Sequence, residues 1–273
     1  MFQAKNKTSL VWNSFTILEL IYHNTVRSIR SGHRDALFAI LASTMQTVLM
    51  VLVFFFFMDF MGMRQAAVRG DFLLYVMSGI FVFMVHIKTV AAVSGAEGPT
   101  APMMQHLPMN TTISIWASAF SALYIQVIAL FGILGVYHLL WKPLEIYDPI
   151  GALLMLLLAW FSGCAIGAVF LAVKPWAPRA VGIVQQMYVR LNMFASGKMF
   201  LANLMTPKML AIFTWNPLFH IIDQGRGETF VNYNPMKSDI MYPLVVSVVL
   251  LVIGLIGESY TRKRVSVSWT AGR

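Results

Sequence analysis

Gln185, Gln186, Arg190 and Asn192 interrupt an otherwise apolar run from Val181 to Ala195, and Tyr188 stands among them. Such a set exchanges hydrogen bonds and carries one fixed cation. It holds no acid–base pair and no nucleophile. The rest of the chain is no richer in reactive groups. Gly197-Lys198 is followed by Met199 and lacks the upstream glycine of a phosphate-binding loop. No His-Glu-x-x-His helix occurs, the six histidines are scattered singly, and no Ser, His and acid cluster suggests nucleophilic catalysis. The acids Asp59, Asp71, Glu145 and Asp148 are dispersed, as solvated rim carboxylates are. Cys164 is the only cysteine, so neither a disulfide nor a cysteine-based metal site can be built. Nothing marks a metal or an organic cofactor. An intramembrane enzyme shows polar residues on several spans at one depth, whereas here a single segment is polar. The pattern points to passage or scaffolding more than to reaction.

The elements that position this segment are membrane elements. The chain has 273 residues, of which 58% are hydrophobic and 11% charged. A soluble chain carries about 25% charged residues, so the deficit marks an integral membrane protein. The net charge of +9 is no sign of nucleic acid, because the basic residues sit at the ends of apolar runs. Met1 to Arg34 lacks the compact apolar core of a cleavable signal peptide, so the mature chain is expected to start near Met1. Within it, Val11, Phe15, Leu18, Tyr22, Val26 and Ile29 recur at steps of three and four, with Asn13, Glu19, His23, Asn24 and Arg27 opposite. That spacing predicts an amphipathic helix in the headgroup plane. Apolar runs of membrane-crossing length follow at 36–61, 72–93, 113–140, 150–173 and 241–260, with the polar run 181–195 as a sixth span. Lys88 and His86, near the end of the second, are expected to snorkel. Gly163 and Gly167 form a GxxxG step that lets helices approach closely.

The fold expected is therefore an all-α integral membrane protein with an N-terminal interfacial amphipathic helix, six transmembrane helices, and short re-entrant helices between the fifth and sixth. Its parts are a cytoplasmic N-terminus (1–35), a transmembrane domain (36–260) with a polar loop at 94–112 and a re-entrant region at 196–240, and a cytoplasmic tail (261–273). With the N-terminus inside, the inner segments hold Lys5, Lys7, Arg27, Arg30, Arg34, Lys174, Arg179, Arg262, Lys263, Arg264 and Arg273. The outer ones hold Arg64, Arg69, Lys142, Lys198, Lys208, Arg226 and Lys237. That bias favours both termini in the cytoplasm. The re-entrant region follows from Met199–Leu204 and Met209–Ile212, which are apolar but too short to cross. Pro207 and Pro217 are expected to end helices there.

Ser196-Gly197 with Phe200, then Pro207, then Trp215-Asn216-Pro217-Leu218-Phe219-His220, then Asp223 and Gly225-Arg226, resembles the late segment of ABC-2 type transporter permeases. It is most similar to the subgroup that exports capsular polysaccharide or O-antigen. By residue pattern the resemblance covers Ser196 to Arg226; by layout it covers nearly the whole chain. The chain departs from the subgroup before and within the first span. Ser31-Gly32-His33-Arg34 stands where a tyrosine-glycine pair is usual, and Ala36 to Met50 holds neither Trp nor Pro.

The resemblance implies a permease subunit that works as two copies in the inner membrane, each with a separate ATP-binding subunit that holds ATP and Mg. It implies lipid-linked polysaccharide as cargo, with a periplasmic export partner as a further possibility. Glu97, Met103, Met104, Gln105 and His106 would then dock into the ATPase. Gln185, Tyr188, Arg190 and Asn192 would meet sugar hydroxyls, ring faces or phosphate. Phe200, Phe213, Trp215 and Phe219 would guide or gate the polymer. Two other readings stay open: the same kind of permease for a drug, lipid or teichoic-acid-like polymer, and a membrane enzyme acting on lipid-linked sugars.

Overall fold

Aspartates, an asparagine, a threonine and prolines set where most of the later helices begin. The computed structural model describes residues 10–31, 36–62, 71–98 and 111–264. Its helices are α1 (Leu10–Ser31), α2 (Ala36–Phe60), α3 (Phe72–Ser94), α4 (Thr111–Leu140), α5 (Pro149–Val173), α6 (Pro178–Ala195), α7 (Pro207–Phe213), α8 (Pro217–Thr229) and α9 (Met241–Arg264), with one 3₁₀ turn at Ala202–Leu204. No strand occurs among the described residues. Asp71 caps α3 by accepting from Leu73 N, and Asp148 caps α5 by accepting from Ile150 N. Thr206 and Asn216 cap α7 and α8 in the same way, each followed by a proline. Pro207 and Pro217 thus open helices, a correction to the expectation that they end them. At the first helical position proline's missing N–H costs nothing and its fixed φ already suits the helix.

Among the described residues, five helices are long and apolar enough to cross a membrane: α2, α3, α4, α5 and α9. α6 is not among them; its 18 residues carry Arg179, Arg190, Gln185, Gln186 and Asn192. α3 is the axis of the bundle, with most of its length buried, and α5 lies beside it. The GxxxG step sits at their crossing. A Cβ on Gly163 would lie 2.8 Å from His86 O, and one on Gly167 would lie 2.7 Å from Val93 Cβ. On the other side α9 packs along α5, Gly254 against Ala168. α2, α4 and α9 turn apolar side chains outward, among them Leu41, Met45, Leu139 and Ile256. In a membrane protein such faces meet lipid, so their exposure carries no aggregation penalty.

Hydrogen bonds fix which ends lie together. At one end Tyr137 Oη donates to Asp71 (2.8 Å), Lys142 Nζ stands 3.6 Å from the same carboxylate, and Asp148 N donates to Glu228 O (2.8 Å). At the other, Lys174 Nζ donates to Ser94 O (3.1 Å) and Trp176 Nε1 to Thr261 Oγ1 (2.9 Å). Arg27 of α1 approaches Glu97 there, at 3.8 Å. α1 packs along α4 and leaves Leu18 and Tyr22 exposed.

Neither snorkelling residue behaves as expected in full. His86 is buried, 1% exposed, and bonds Ser162 Oγ (2.8 Å) and Tyr188 Oη (2.7 Å). Its position midway along α3, between α5 and α6, leaves no route to the surface. Lys88 is partly buried and donates to Gln46 Oε1 of α2.

Candidate functional site

α6 begins at the Lys174 end, level with the close of α3, and climbs antiparallel to it. Tyr188 meets His86 midway. After Ala195 the chain turns sharply. Gly197 has φ +70°, and a Cβ there would lie 2.4 Å from the Phe219 ring. Only glycine meets both demands. Asn216 ties the start of α8 to the end of α6: its amide donates to Asn192 Oδ1 (2.8 Å) and Ala195 O (2.9 Å), while its Oδ1 accepts from Leu218 N (3.1 Å). The Asn-Pro-Leu sequence is a helix start welded to its neighbour.

Two charged residues three apart on α8 then hold the turn from inside. Arg226 is fully buried. Its guanidinium donates to Gly197 O (3.1 Å), Phe200 O (2.6 Å) and Lys198 O, and lies over the Tyr75 ring at 4.3 Å. Asp223, 1% exposed, accepts from Ala202 N (3.2 Å), Tyr233 Oη (2.5 Å) and Ser238 Oγ (2.7 Å). Burial, and then the nearby carboxylate, push the Tyr233 phenol well up, so it stays a donor. The same stretch buries Lys198, 2% exposed, with Nζ 3.6 Å from the Phe83 ring centre and 4.5 Å from Phe54. That ammonium has no hydrogen-bond partner among the described residues. Burial lowers its pKa to about 7, and the two ring faces oppose the shift by attracting the cation.

The expected path residues therefore separate. Tyr188 is tied to His86, Asn192 is buried against Asn216, and Phe219 is 1% exposed beneath Gly197. Phe200 and Phe213 meet edge to face at 6.3 Å, and Phe213 meets Phe219 at 5.9 Å. Trp215 is 80% exposed. Gln185 is partly exposed and Arg190 exposed. Arg190 lies on the outward face of α6 with Ile183, Met187 and Phe194. Glu97 sits at the mouth of the 94–112 loop, its backbone N donating to Ser114 Oγ (3.1 Å). Met103, Met104, Gln105 and His106 lie outside the described residues. Among the described residues no three His, Cys, Asp or Glu side chains gather where a metal would bind.

The residue pattern at 196–226 pointed to this stretch but not to its architecture. Lys198 and Arg226 read as loop charges in sequence. Their burial had one visible sign, a cation set among short apolar runs. Pairing Arg226 with the carbonyls of 197–200 requires the return of α8 beside α3.

No family model matches the chain. No curated protein matches it either.

Proposed function

We propose that this chain is the membrane-spanning permease subunit of an ATP-driven exporter of the ABC-2 type, working as two copies that enclose a conduit. One observation carries the reading. Arg190 follows Tyr188, which bonds His86 midway along α3, so Arg190 lies near mid-membrane, yet its side chain faces out of the chain. A charged side chain facing lipid at that depth is costly, so such residues face protein or a wet cavity. A second copy meeting this face supplies both. Counting α6 as the sixth span brings both termini to one side, the cytoplasm by the distribution of basic residues, in an inner membrane. The start of α8 lies beside Asn192 and its end beside Asp148 at the rim, which supports a re-entrant path for α7 and α8.

The cargo that fits best is a lipid-linked polysaccharide of capsule or O-antigen type. Gln185, Gln186 and Arg190 offer hydrogen bonds and a cation to hydroxyls and phosphate along the seam. The separate ATPase would dock at the loop 94–112, where Arg27 links α1 to Glu97. Copurification with an ATP-binding protein, and ATP-dependent export by the pair, are the expected results. Transport by the chain alone on an ion gradient would sink the proposal.

A further inference from the structure

A cavity of about 390 Å³ with a mixed lining, at the α4–α5 corner, takes no part in that reading. Asp71, Tyr137, Lys142, Glu145, Tyr147 and Asn232 line it. An apolar crevice of about 340 Å³ lies beside it between α3, α4, α5 and α8, and the two share Leu74, Ile146 and Thr229 as wall. A third groove, of about 520 Å³, runs along α4 past Gly135 and Leu139, and shares Phe131, Leu134 and Pro149 with the crevice. Trp141 and Tyr147, each 63% exposed, stand at this corner. Exposed aromatic rings with polar edges mark the headgroup level of a bilayer. A cavity at that level that carries charged groups thus adjoins two apolar grooves.

We propose that this corner binds one phospholipid with a zwitterionic, primary-amine headgroup, its phosphate at Lys142, its ammonium at Glu145 and its chains in the two grooves. The charges select the headgroup. The cavity holds one cation and two carboxylates, so a purely anionic headgroup would face net repulsion. Asp71 is committed: it accepts from Leu73 N and Tyr137 Oη and holds Lys142 at 3.6 Å. Glu145 is exposed and free to take an ammonium. A primary amine donates hydrogen bonds to it, which a quaternary choline cannot. The grooves select a lipid over a free phosphate or a sugar, since neither of those would fill apolar space. The site needs only that the chain sits in a membrane, so it stands or falls apart from the exporter reading.

The purified chain in detergent, given an equimolar mixture of phosphatidylethanolamine, phosphatidylcholine and phosphatidylglycerol, should retain the first in native mass spectrometry. It should also gain thermal stability from that lipid more than from the others. Lys142→Gln and Glu145→Gln remove exposed charges and should weaken retention of phosphatidylethanolamine roughly tenfold, the effect of losing one charge-assisted hydrogen bond. Gly135→Phe tests the groove along α4, which Gly135 lines: a Cβ there meets nothing within 4 Å, so the backbone has room for a side chain whose ring occupies that groove. It should lose retention of all three lipids. Equal retention of phosphatidylcholine, preference for phosphatidylglycerol, or undiminished binding in either the headgroup variants or Gly135→Phe would overturn the proposal.

Discussion

Arg226 ends three backbone carbonyls that no helix satisfies. The side chain is fully buried, so its removal strands the acceptors at Lys198 and Phe200 in a medium without water, while Gly197 O keeps the N–H of Phe200 (3.1 Å). Arg226→Met should cost about 3–5 kcal/mol, as breaking a buried charged network does, read as a fall in detergent-solubilised thermal stability. Arg226→Lys should recover only part of this, because an ammonium cannot fork between the three carbonyls. Lys198 offers a test by pH. Its folded pKa lies near 7, below the ordinary lysine value, so the folded state disfavours the protonated form. The unfolded chain then binds more protons between about pH 7 and pH 10, and stability rises with pH across that window. The cost is present in full below 7. Lys198→Met should flatten the rise; an unchanged pH profile in that variant would show that the ring faces of Phe83 and Phe54 carry the cation at no cost.

Among elements, α6 and α8 form one unit through Asn216. Asn216→Ala removes an N-cap and two bonds to α6, and should cost about 1–2 kcal/mol. It should also speed proteolysis in the 196–216 segment before global unfolding. α6 carries the decisive outward face. Met187→Cys, placed on that face in a chain whose one cysteine is buried, should give a disulfide-linked dimer in membranes under mild oxidation. A monomer under those conditions would remove α6 from the seam. The six-span expectation met its difficulty at this element. Among the described residues five helices are long and apolar enough to cross, and α6 is not one of them because its polar residues are too many. Only its hydrogen bond to mid-α3 gives its depth. Prolines 207 and 217 were visible as boundaries in sequence, but whether a proline ends one helix or begins the next depends on the residue before it. Thr206 and Asn216 accept from their own helices, and that decides it.

For the molecule as a whole, the tests turn on transport. Arg190→Ala should impair export with insertion unchanged; wild-type export would demote Arg190 to a lipid-facing accident. Glu97→Lys combined with Met104→Trp should weaken copurification of the ATPase, and an unaltered yield would take the 94–112 loop out of coupling. The amino-acid sequence by itself determined the membrane, the apolar helices with ends close to those observed, and the singularity of the stretch from Ser196 to Arg226. These follow from composition, run length and local residue preference, which need no distant contact. Only the tertiary structure decided that Lys198, Asp223 and Arg226 are buried, that Asn192 answers Asn216 and His86 answers Tyr188, and that Arg190 faces outward. Each depends on where a helix stands relative to another helix far away in the chain, and short-range periodicity does not encode that distance.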